Sequence, residues 1–126
     1  MSVFTIGRSK TFKAGSSAIP QGTMVKLDTD GTVIAATGGT DVVIGIAETY
    51  CVASGQCSVI LRSAQGTAKV VASTTISVGA KLTATTAGQA VTTTTDKQEV
   101  VGIAIEAATT QGDLIEVIVS NYTLSI

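Results

Sequence analysis

The chain of 126 residues repeats itself. Slid along its own length by 57 positions without a gap, it sets Gly22 on Gly79, Gly31 on Gly88, Gly45 on Gly102 and Gly55 on Gly112. Ile19 then falls on Ile76, Val43 on Val100, and Ile46-Ala47 on Ile103-Ala104. Flanking apolar positions also correspond: Ile44 with Val101, Ile60 with Val117, Leu61 with Ile118. Glycine holds its place where the backbone needs positive φ or the close approach of another group. The eight glycines therefore read as structural turns, and residues 14–69 and 71–126 as two copies of one unit. A unit of that size buries too little surface to stand alone. The copies are expected to form one domain, as halves of a single small barrel about a pseudo-twofold axis.

What each copy folds into follows from its side chains. Thr, Val and Ile number 21, 15 and 12, against 5 Leu and 4 Glu, so β-branched residues dominate. Such residues lose rotamer freedom in helices and pack well on a pleated surface. No stretch carries the 3.6-residue period of an amphipathic helix. A turn (Pro20-Gln21-Gly22 or Ser77-Val78-Gly79) leads to a strand at 23–27 or 80–84. The tight turns Asp30-Gly31 and Ala87-Gly88 return the chain as strands 33–36 and 90–93; Asp-Gly between apolar runs is a strong hairpin signal. The most apolar strands follow, 42–49 and 100–106. Turns Ser54-Gly55 and Gln111-Gly112 lead to the last pair, 56–62 and 114–120, and the linker adds a strand at 68–72. Short strands with regular Gly turns mean an all-β fold, a sandwich or small barrel.

Only 13% of residues are charged, about half the usual share. A soluble monomer needs more charge than this on its surface. Much of the surface is therefore expected to be covered, by copies of the chain or by another protein. The chain has no His, which removes Ser-His-Asp and Cys-His catalysis and imidazole metal sites. Aromatics are 3% and net charge is −1, a poor basis for stacking bases or neutralising phosphates, so no nucleic-acid partner is expected. The opening residues lack the apolar core of a secretory signal. The charge-free stretches, such as 49–61, are broken by Gly, Ser and Gln and fall short of a membrane span. Synthesis and use in the cytosol, without a membrane partner, are expected. Cys51 and Cys57 flank a hairpin loop and can face each other across it. Cytosolic thiols are usually reduced, which would leave two small buried apolar residues; both states stay open.

Residues 1–13 lie outside the repeat. They hold Arg8, Lys10 and Lys13 and no acid, so this arm is +3 while the remainder, with five basic and nine acidic residues, is −4. Phe4 and Phe12 are the only Phe, and both are in the arm. Read as a frayed terminus, the arm does nothing. Read functionally, Phe4, Arg8, Lys10, Phe12 and Lys13 form a segment that orders on assembly and docks on a neighbouring subunit or another protein.

Motifs with chemistry are absent or incomplete. Asp28-Thr29-Asp30-Gly31 opens like a calcium loop, but Gly39 stands where the bidentate Glu belongs, so a hairpin turn is expected. Gly38-Gly39-Thr40 lacks the Gly-Lys-Ser/Thr of a phosphate loop. Lys26, Lys69 and Lys81 carry no signature of a reactive amine, and no hairpin tip presents the Lys of a lipoyl-type carrier. Glu48 and Glu106 differ by one in repeat register and are no carboxylate pair. No catalytic, metal or cofactor site is expected.

The segments Ile19-Pro20-Gln21-Gly22-Thr23-Met24-Val25 and Val43-Ile44-Gly45-Ile46-Ala47-Glu48, with the counterparts Ile76-Ser77-Val78-Gly79-Ala80 and Val100-Val101-Gly102-Ile103-Ala104, resemble the small cement, or head decoration, proteins of tailed-phage capsids. The resemblance covers nearly all of residues 14–120. It implies a β-barrel or β-tulip-like domain, homotrimers on the outer surface of the virion, and contact with major capsid protein. It implies no catalytic residue and no cofactor. Two other readings stand beside it: a different β-rich virion component of fibre or tail, and a binding module for a small ligand or glycan. The second is poorly served by a chain whose only Tyr are Tyr50 and Tyr122.

Overall fold

The structure, a computed structural model, describes residues 8–64 and 66–125; Phe4 lies outside the described residues. The β-branched runs form ten strands and no helix among these residues. The first five are β1 (Ser9–Lys13), β2 (Met24–Leu27), β3 (Val33–Ala35), β4 (Val43–Ala47) and β5 (Gln56–Leu61). The second five are β6 (Thr67–Val71), β7 (Lys81–Ala84), β8 (Ala90–Thr92), β9 (Glu99–Ala104) and β10 (Leu114–Thr123). They build two antiparallel sheets, ordered β1-β5-β4-β2-β3 and β6-β10-β9-β7-β8. The orders are identical under the repeat, so the internal duplication is a duplication of topology.

The expected single barrel is corrected. Each repeat makes its own sheet, and neither sheet is a closed barrel. In each, the two edge strands meet at one isolated parallel bridge, Ala14 with Val33 and Ala72 with Ala90. The edge strands β3 and β8 are three residues long, too short for a second ladder along the seam.

The repeat also starts earlier than residue 14. Ser9–Lys13 pairs along β5 as Thr67–Val71 pairs along β10. The basic arm thus ends in a strand of the first sheet. The gapless offset hid this equivalence, because the loop between the first and second strands of the unit is one residue longer in the first copy, so β1 lies 58 positions before β6 while β2 lies 57 before β7. The loop between the fourth and fifth strands is in turn one residue longer in the second copy. Ile46 pairs with Ile60, and Ile103 with Ile118. Ile60 therefore corresponds to Ile118, not Val117, and Leu61 to Val119. A slip of one residue turns every side chain to the other face. The loop shows the same shift: positive φ falls on Ser54 in the first copy and on Gly112 in the second. Gly45 and Gly102 lie inside β4 and β9, at equivalent ladder positions and not in turns.

Inside the first sheet, Ile19, Val25, Val33, Ala47 and Val59 pack with Cys51 and Cys57 into a small core. Their counterparts Ile76, Leu82, Ala90, Ala104 and Val117 fill the second sheet. The two cysteines are joined in a disulfide and fully buried. In the second sheet Ala108 and Ile115 take their places, so the bond is a staple on one copy only. Replacing both cysteines with Ala removes a short covalent loop. It is expected to cost about 2 kcal/mol, read as a shift of the urea midpoint.

The second core does not end at its own sheet. Met24, Ile46 and Ile60, on the side of the first sheet facing away from its core, pack with Ala68, Val70 and Ala72 of the second. Met24 N donates to Gly88 O at 2.8 Å and Val71 N to Gly22 O at 3.1 Å. The seam of the second sheet thus closes over the back of the first, and one continuous core joins the copies.

Candidate functional site

One buried cation fastens this joint. Arg62 follows β5 and is 6% exposed. Its Nε donates to Ser120 O at 3.1 Å. Nη1 donates to Val43 O at 3.2 Å and Glu99 Oε1 at 3.0 Å, and Nη2 to Val100 O at 3.0 Å and Tyr122 O at 3.3 Å. A guanidinium has five N–H groups in a fixed fork, and each finds an acceptor. β10 shifts register between Val119 and Tyr122, where its carbonyls serve Arg62. The repeat gives no hint of this residue, because Ser120 stands at its counterpart. The available signal was scarcity: Arg62 is one of two Arg in a chain with few charges, at the end of an apolar strand.

Carboxylates tie the loops. Burial pushes the Glu99 carboxyl up, but hydrogen bonds from Thr123 and Arg62 and the charge of Arg62 outweigh it, and the group sits below its ordinary value. Asp41 is held low by the backbone N–H and hydroxyl of Thr37, with Lys26 at 3.3 Å. Asp113 is held low by the N–H groups of Thr109 and Thr110. A depressed carboxylate stabilises the fold above its unfolded value, about 4. That contribution is lost as pH falls through the folded value. The urea midpoint is expected to stay level from about pH 7 to 5 and to drop below about pH 4; Asp41→Asn should flatten part of that drop.

The described arm residues are not a free docking segment. Arg8 is exposed, and its guanidinium donates to Thr67 O at the start of β6. Lys10 lies opposite Val59 and Lys13 opposite Gln56. Phe12 lies opposite Cys57 and packs half-buried against the core of the first sheet. Lys26 and Lys69 pair with Asp41 and Glu106. Asp28 and Asp30 bond the backbone and hydroxyls of their own turn. Among the described residues, no cluster of three or more Cys, Asp or Glu is placed to hold a metal.

The surface is apolar where a sheet should face water. Val78 is 64% exposed, Ile105 40% and Ile118 46%, with Ile103 half-buried between them. The chain exposes 6583 Å², against about 6,200 Å² expected for a compact monomer of this mass. The molecule is therefore ordinary in area and unusual in the chemistry of that area.

The sequence profile of the phage cement proteins matches residues 6–119. The chain belongs to that family. A cement protein is a structural component of the virion that binds the phage capsid, and this one has the apolar surface that such a role uses. Among solved structures, the head fibre gp8.5 N base in bacteriophage phi29 has the same fold. The TM-score is 0.71 at 22% identity, over 94% of this cement protein and 99% of that chain. At that identity the likeness is one of fold alone. No curated protein matches.

Proposed function

We propose that this cement protein sits as a homotrimer on the outer surface of the capsid and holds neighbouring major capsid proteins together. The observation that carries this is the family match over nearly the whole chain. The exposed apolar sheet face supports it, since such a face calls for a protein partner. Nothing in the reading calls for nucleic acid, membrane, cofactor or catalysis: the role is mechanical. The arm assists, with Arg8, Lys10 and Lys13 guiding approach to an acidic neighbour. Screening over about 8 Å at physiological salt limits those charges to guidance. Phe4 is the apolar anchor of the arm, since Phe12 is engaged in the first sheet.

Two measurements test the reading. Sedimentation of the free protein should give three times the 12.6 kDa chain mass. Purified expanded capsids should take the protein up at a fixed number per shell. A stable monomer that leaves capsids undecorated overturns the proposal. Deleting residues 2–7, which spares β1, should weaken capsid occupancy without unfolding the protein. Equal occupancy makes the arm a plain terminus.

A further inference from the structure

Within one chain, the second repeat docks on the first through contacts that the second repeat's own back then leaves unmade. On the first sheet, Met24, Ile46 and Ile60 are buried by that docking. Their counterparts on the second sheet are Lys81, Ile103 and Ile118, which are exposed or half-buried. The rim is inverted as well. Gln21 and Glu48 line the cavity of about 230 Å³ at the edge of the joint. Val78 and Ile105 replace them on the second sheet and stand exposed. A face meant for water would show the opposite choice.

The docking elements follow the same pattern. The turn at Gly88 touches Thr23, Met24 and Ala35, and Gly22 touches Val71 and Leu114. Their counterparts, Gly31 and Gly79, have open space around the position a side chain would take. Two of the substitutions at these positions complement each other in charge, while Lys10 and Lys13 of β1 stand where Ala68 and Val71 stand. Lys81 stands where Met24 stands, and Asp30 where Ala87 stands. Among the described residues Lys81 makes no ion pair.

We propose that a second copy of this chain covers the back of the second sheet, setting its β1 edge and Asp30-Gly31 turn against Lys81, Ile103 and Ile118. The joint between copies repeats the joint within a copy. Such an interface is head-to-tail: each molecule offers a different surface to its two neighbours. Three copies closing into a ring would give the homotrimer, so the inference deepens that part of the proposed function. The salt link between Lys81 and Asp30 sets the register, and Ile103 and Ile118 supply the buried area.

Asp30→Cys and Lys81→Cys, prepared separately and also as a coexpressed mixture so that both enter the same oligomers, are treated with a short bismaleimide, in solution and on capsids. The native cysteines are bonded to each other and buried, so they do not react. The mixture should yield a cross-linked dimer of the two variants, and each variant alone should yield none above background. A cross-link within either variant alone means a face-to-itself contact and overturns the proposal. So does the absence of any cross-link in the mixture when both variants melt as the parent does. Ile118→Glu should weaken self-association by at least about tenfold with an unchanged melting temperature; unchanged association also overturns it. Capsid uptake is scored separately. Uptake without the cross-link sinks this geometry and leaves the cement role standing. The cross-link without uptake does the reverse.

Discussion

Replacing Arg62 with Ala is expected to lower the stability of the fold by about 3–5 kcal/mol, the usual cost of removing one partner from a buried ionic network. The loss is of that size because the partners do not leave with the side chain. The carbonyls of Val43, Val100, Ser120 and Tyr122 stay in the joint without their donor, beside a Glu99 carboxylate that has lost its counter-charge. Burial without a partner costs each of them. Thermal unfolding followed by circular dichroism should show a fall of roughly 10–20 °C. Arg62→Lys should be intermediate, since an ammonium keeps the charge but cannot span five acceptors. A loss below about 1 kcal/mol for Arg62→Ala would mean that the apolar contacts alone hold the two sheets together.

Gly45→Ala is expected to be nearly as damaging, at about 3 kcal/mol or more, and clearly worse than Gly102→Ala. The two glycines are equivalent in the repeat, yet their surroundings differ. A Cβ on Gly45 would lie 2.1 Å from Ile60 O and 2.7 Å from Val59 Cγ1, so the β4–β5 ladder itself must move. On Gly102 the nearest atoms are the Val117 side chain, at 2.8 Å and 3.1 Å, with Ile118 O at 3.3 Å, and a valine can give way where a ladder cannot. Matching urea titrations of the two variants decide the point. Equal losses would mean that both sheets yield alike.

Much of this architecture was legible in the sequence. The glycines at 22, 31, 79 and 88 all take positive φ and mark the turns expected of them. The strands from 23 onward fall within a residue or two of their expected bounds, except that β10 runs three residues past its expected end, to Thr123. The misses have physical causes. Strand β1 shares no residue with β6 at the true offset, since a strand is defined by which groups pair and not by which side chains it bears. The one-residue insertion before β10 broke the gapless match, and Gly55 on Gly112 was a coincidence of spacing. Closure was misjudged because strand count and turn spacing say nothing about whether edge strands are long enough to pair. Arg62 was missed because a fold-breaking asymmetry leaves no trace in a search for symmetry. The disulfide was left open on the ground of cellular compartment, while the geometry of the hairpin brings the two Cα atoms to 5.1 Å.

The shared core also dictates an order of events during synthesis. The first sheet can complete once β5 has emerged, because β1 waits for it across more than forty residues. At that moment Met24, Ile46 and Ile60 are finished as a surface and uncovered, and the residues that will cover them are still being made. Domains at the N-terminal end fold first on the ribosome, and apolar surface exposed in the interval invites the wrong partner. The nearest wrong partner is the second repeat of a neighbouring nascent chain, which fits that surface equally well. Arg62 is the last residue of the first repeat to emerge before the linker, and four of its five acceptors, on Glu99, Val100, Ser120 and Tyr122, belong to the second repeat. The short tether from Arg62 to β6 gives a chain's own second repeat a far higher effective concentration than any neighbour's, which favours folding within one chain over exchange between two.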